Sequence, residues 1–222
     1  MDKAGRPLAR RSYGEALRAL EDELAATQAL LTTLPDEAWR RPTRLPGWDV
    51  LTLLAHLVGA VQSLAHATEQ PASGPPDFAR TTYYRYDPAV TAPQVDARAR
   101  VAAQGQSPDS LRGALTGATT AGLRAAAATD PATVVPSRRG TIRIEDFLPT
   151  RVVEACIHGL DLRSAIGAPP TPTPLALRVS ADFLDDMLGG PRPPELVGDD
   201  VAFVEVATGR RRHPDPRFPL LQ

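Results

Sequence analysis

The stretch RVVEACIHGLDLRSAIG, residues 151–167, combines two features that conflict in an ordinary helix. On a wheel of roughly 100° per residue, Leu148, Val152, Ala155, Gly159, Leu162 and Ile166 make one apolar stripe, and Val153, Cys156, Ile157 and Leu160 cover much of the rest. A helix apolar around most of its circumference is buried on most sides. Against that background Arg151, Glu154, His158 and Asp161 form one narrow polar stripe, each three or four residues from the next. A buried carboxylate or imidazole is costly unless it is paired, hydrogen-bonded or bound to a metal. The stripe therefore needs a partner. The helix is expected to run from about Glu145 to Ile166 and to close at Gly167. Cys156 falls about 160–200° around the wheel from Glu154 and His158 and reads as a core cysteine.

Glu154 and His158, at i and i+4, sit one above the other on a single turn, so one helix can offer two ligands to one ion. A third ligand must come from elsewhere. The segment RLPGWDVLTLLAHLVGAVQSLAHA, residues 44–67, supplies the candidate His56. Asp49 is a fair N-cap for a helix reaching about Thr68, and Trp48 anchors the turn before it. On this helix His56 lies roughly 60° outside the arc of Val50, Leu54, Leu57, Val61 and Leu64. It flanks the core, and from spacing alone a satisfied or solvated surface histidine is the commoner case. Glu154 with His158 can likewise be an ordinary hydrogen-bonded pair, and Arg151 with Glu154 an i, i+3 ion pair. Asp161 is either an acceptor for a ligand imidazole N–H or a partner of Arg163 or Arg151. His66 and His213 have no partner legible in the sequence.

From Ser12 to Leu34, Leu17, Leu20, Leu24, Leu31 and Leu34 recur at the spacing of one helical face, and Pro35 ends this first helix. Residues 69–92 mix Pro, Gly and Ser and read as a long loop, with Tyr83, Tyr84 and Tyr86 either lining a substrate entrance or packing on the bundle. A short helix is expected from Gln94 to Ala103. Ser107-Pro108-Asp109 opens a third long helix, apolar at Leu111, Leu115, Ala118 and Ala126 and stopped by Pro131. TVVPSRRGTIRI has extended character. Thr173-Pro174 starts a further helix through Leu188, and VAFVEVATG alternates like a strand. Four amphipathic or buried helices, with no run of strands before residue 200, predict a mainly α-helical bundle. The expected organisation is a metal-binding bundle domain over 1–167 and a short C-terminal helix-and-strand extension over 168–222, packed on it.

The 222 residues carry a net charge of −1, and the pI near 6.4 gives no basic footprint for nucleic acid or a membrane surface. The single Cys156 excludes an internal disulfide framework. No run of about 20 unbroken apolar residues is present, and the N-terminus lacks a secretory pattern. A cytoplasmic protein acting on a small molecule is the expectation.

Taken together, LPGWDVLTLLAHL and RVVEACIHGLDLRSAIG resemble the N-terminal domain of mycothiol-dependent maleylpyruvate isomerases, within the DinB-like superfamily of metal-binding four-helix bundles. The resemblance covers roughly residues 12–167. It implies a divalent ion, commonly Zn2+, held by His56, Glu154 and His158. Three ligands of this mixed type leave a fourth position open, the pattern of a catalytic zinc. Zinc lowers the pKa of a water or thiol there, and the resemblance favours a metal-activated thiolate. It implies an S-transferase or isomerase that uses a low-molecular-weight thiol, mycothiol, as cosubstrate against a small electrophile. His56 and Asp161 are the candidates for catalytic roles, Asp161 through a ligand imidazole. A hydrolase using activated water and a noncatalytic metal or ligand binder are the rival classes, and a homodimer is compatible with such a bundle.

Overall fold

Leu20, Leu24 and Leu31, the stripe read in the first helix, are all but inaccessible along α1 (Ala9–Thr32). The computed structural model describes residues 9–221, with side chains from Tyr13 onward. After α1 the chain turns through a short 3-10 segment, Asp36–Arg40. It then crosses the Leu-Pro-Gly-Trp turn, where Gly47 holds a positive φ of 75° beside the Arg100 guanidinium. The Asp49 side chain accepts from the Thr52 amide at 2.8 Å and starts α2 (Val50–Glu69) as anticipated. By length and composition α2 meets the requirement for a membrane span, although polar residues such as His56 and Gln62 interrupt its apolar run. Most of it is buried among the other helices, the profile of a core helix.

Next comes α3 (Pro88–Ala103), capped by Asp87, and then α4 (Pro108–Ala128), capped by Ser107. A two-stranded antiparallel hairpin, β1 (Val134–Ser137) and β2 (Gly140–Arg143), carries Arg138 and Arg139 at its tip. It leads directly into α5 (Ile144–Ile166). The four long helices form a ring in which α2 packs on α4 and α5, and α1 packs on α5 and α4. Outside the ring, α3 lies on α2, and α6 (Pro174–Leu188) lies on α1 and α5. The last helix, α7 (Asp200–Ala207), packs on α6. Burying each leucine of such a core contributes about 2 kcal/mol, so the central position of α2 and α5 is where a polar stripe is least tolerated.

Two local readings are corrected. VAFVEVATG is helical, not a strand: Asp199 caps it by accepting from the Ala202 amide at 2.9 Å. Ala202, Phe203, Val204, Val206 and Ala207 are all buried, so burial on every side left no helical period to read. The helix expected from Gln94 begins earlier, at Pro88, with Pro93 inside its exposed first turns. The extended character of residues 133–144 is real and takes the form of the hairpin.

Candidate metal centre

α5 brings Glu154 and His158 to one face, and the neighbouring α2 brings His56 opposite them. His158 Nε2 stands 3.3 Å from Glu154 Oε2, and His56 Nε2 stands 3.4 Å from the same oxygen. One donor atom from each of the three residues lies within 4.8 Å of the other two. Donors bound at about 2.0–2.1 Å around a tetrahedral ion stand roughly 3.3–3.4 Å apart. The two measured edges therefore suit a small divalent cation, and two imidazoles with a carboxylate are a fitting donor set. The histidine rings meet edge to face with centroids 4.9 Å apart, and Trp48 covers His56 at 5.1 Å. The 60° offset of His56 from its core arc is what turns it off the hydrophobic seam and toward α5.

Two of the three donors, Glu154 and His158, are held from behind by hydrogen bonds. Tyr84 donates its hydroxyl to Glu154 Oε1 at 3.0 Å, and the Arg151 guanidinium lies 4.0 Å from the same oxygen while stacking on Phe147. Burial alone pushes the Glu154 carboxyl up, but the bonds from His158 and His56 and the charge of Arg151 outweigh it. Glu154 stays well below the usual carboxylate range. Burial pulls His56 down, and its pKa is lowered. For His158 burial also disfavours the charged ring, but Asp161 and Glu154 more than offset this, and its pKa is raised.

Asp161 does not pair with Arg163 or Arg151. It is fully buried, with Oδ2 facing His158 Nδ1 at 3.1 Å. Arg210 Nη2 donates to the same oxygen at 2.9 Å, and Arg44 Nε donates to Oδ1 at 3.2 Å. Arg163 instead pairs with Glu23 on α1. Nothing local in the sequence marks Arg44 or Arg210; each reaches Asp161 only through the tertiary fold. His213, read as partnerless, faces Glu195 at 2.9 Å across a sequence gap no local pattern spans. His66 lines the cavity described next. Cys156 is a buried core residue, its thiol pushed up to about 12 by burial.

His56 and Glu154 open onto a cavity of about 680 Å³. Tyr83, Tyr84 and Tyr86 all line it, and the hairpin tip and α3 form its far side. Its charged lining is uneven: five guanidiniums, Arg85, Arg98, Arg138, Arg139 and Arg151, against the single carboxylate of Glu154. Arg139 is set in place by stacking 3.8 Å above the Tyr86 ring and donating to the Tyr83 carbonyl at 2.9 Å. Burial and the neighbouring charges of Arg138 and Arg139 depress the Arg98 pKa, the mark of unneutralised cations held together.

A ring of four helices with two imidazoles and a carboxylate converging between α2 and α5, beside a cavity, defines a class of helical bundles with a candidate metal centre. Within that class the chain belongs to the mycothiol maleylpyruvate isomerase N-terminal domain family, whose model matches residues 20–163. Two solved structures share the fold over 90% of this chain and 90% of theirs. These are a mycothiol-dependent maleylpyruvate isomerase, with TM-score 0.61 and 18% identity, and a histidine-to-alanine variant of that enzyme, with TM-score 0.61 and 17% identity. No curated protein matches the chain.

Proposed function

We propose that this chain is a metal-dependent isomerase that uses mycothiol to convert a small unsaturated carboxylate between cis and trans forms. The carrying observation is the triangle of His56, Glu154 and His158, two of whose members, His56 and Glu154, line a cavity whose charged groups are mostly arginines. Family membership and the structural neighbours support the thiol and the reaction class. His56, Glu154 and His158 would hold the ion. When bound, a divalent cation supplies a Lewis acid that lowers the pKa of a nearby thiol and makes it nucleophilic at neutral pH.

The chain's own residues supply the rest. Arg98, Arg138 and Arg139 bind the substrate carboxylates and set the alkene against the open face of the site. Tyr83, Tyr84, Phe78 and Phe147 give the cavity apolar walls that limit water. The sulfur adds to one alkene carbon, the former double bond rotates, and the carbon–sulfur bond then breaks to return thiol and trans alkene. No oxidant or reductant is consumed, and the thiol proton is restored at the end.

The test has two arms. Metal analysis of purified protein is expected to find close to one ion per chain in the wild type and little in His158→Ala. Absorbance assays with maleylpyruvate are expected to show turnover that requires mycothiol. Equal metal content in the two proteins would remove the site assignment, and turnover independent of thiol would remove the reaction class.

A further inference from the structure

The hydrogen bonds of Asp161 use both oxygens completely. Oδ1 accepts from Arg44 Nε at 3.2 Å and from Arg210 Nε at 3.3 Å. Oδ2 accepts from Arg210 Nη2 at 2.9 Å and faces His158 Nδ1 at 3.1 Å. Arg210 thus grips the carboxylate with both prongs of its guanidinium fork, a geometry that fixes orientation as well as charge. Arg210 is itself braced by donating Nη1 to the Thr208 carbonyl at 2.8 Å. Arg44 reaches across to Glu205 on α7. Three segments distant in sequence meet here: the turn before α2, α5, and α7 with the residues after it.

We propose that Arg210 and Arg44 are positioning residues for the metal site, acting through Asp161 on His158. The proposal rests on the reading of His158 as a ligand. A carboxylate at Nδ1 favours the proton on that nitrogen and so frees the Nε2 lone pair for an ion held together with Glu154 and His56. A carboxylate without such partners could rotate about its last bond; the fork fixes which oxygen points at the ring. An ion pair serving only to tether α7 would need neither the shared Oδ2 nor a carboxylate without exposure.

The test uses the full chain, metal-free and with Zn2+, in Arg210→Gln and Arg210→Lys. Arg192→Gln is the control, because it removes another C-terminal ion-pair hub, to Asp185 and Asp200, that does not touch Asp161. Zn2+ affinity is read by competition with a chromophoric chelator. The His158 tautomer is read by nitrogen-15 NMR of the metal-free protein at alkaline pH, where the ring is neutral. Arg210→Gln is expected to weaken Zn2+ binding about 10-fold and to populate the Nε2–H tautomer. Arg210→Lys keeps the charge without the fork and is expected to fall between it and the wild type. Arg192→Gln is expected to lower the melting temperature with affinity and tautomer unchanged. An Arg210→Gln protein with wild-type tautomer and affinity overturns the proposal, as does an Arg192→Gln protein that loses both. If the wild type binds no Zn2+, the proposed function fails, while the tautomer measurement still decides whether Arg210 orients His158.

Discussion

Replacing Gly159 by alanine tests how tightly α5 is packed behind the site. In a free helix the change is favourable by about 1 kcal/mol. Here a Cβ at position 159 would stand 2.7 Å from Glu23 Oε1 and 2.8 Å from Arg163 Nη1. Those two groups are themselves bonded at 3.1 Å, and Glu23 Oε2 also accepts from the Thr173 amide at 2.7 Å, at the start of α6. Ordinary contact requires each to retreat by about 0.6–0.7 Å, with no empty space behind a close-packed core. Breaking a buried ion pair outright costs about 3–5 kcal/mol, so after the gain in helix propensity the net loss is expected at about 2–4 kcal/mol. For a chain of this size that lowers the melting temperature by about 4–16 °C. Thermal denaturation followed by circular dichroism reads it directly. The same substitution made in a Glu23→Leu, Arg163→Met background, where the obstructing pair is gone, is expected to cost much less. A melting temperature equal to or above that of the wild type in the single variant would refute the reasoning.

Removal of the Tyr84 hydroxyl takes away the bond that holds Glu154 Oε1 at 3.0 Å. Tyr84→Phe is therefore expected to weaken Zn2+ affinity about 10-fold by chelator competition, and unchanged affinity would show that Arg151 suffices to hold the carboxylate. Cys156 is buried with its thiol raised to about 12, so mass spectrometry after iodoacetamide is expected to find it unmodified until denaturant is added. Asp161 has a depressed pKa, set by its bonds to His158 and Arg210 against the effect of burial. The stability it contributes is fully present above its unfolded pKa of about 4 and is lost as pH falls toward its folded value. Urea denaturation of the metal-free chain should show a midpoint that falls below that pH, and a shallower fall in Asp161→Asn; parallel profiles would argue against this origin.

Patterns that repeat within a few residues are legible without coordinates. The heptad-like leucines of α1, the Asp49 and Ser107 caps and the polar stripe of α5 are local patterns. Local geometry alone puts Glu154 and His158 on one turn, because i and i+4 are neighbours on any helix. The long helices, and the bundle they form, followed from that. Periodicity was silent where burial surrounds an element: α7 has buried side chains on nearly every side, so it read as a strand. What His56 faces is a matter of packing, since a residue 60° off its core arc turns either to solvent or to a neighbour, and the contact of α2 with α5 selects the neighbour. The fold alone set Arg44 against Asp161, 117 residues away, and Arg210 against the same carboxylate, 49 residues away. It also gathered five arginines around one cavity in a chain whose net charge is −1. Hydrogen bonds and Coulomb forces act over a few ångströms of space, whereas a sequence records separation along the chain, so contacts between distant segments leave no local pattern to read.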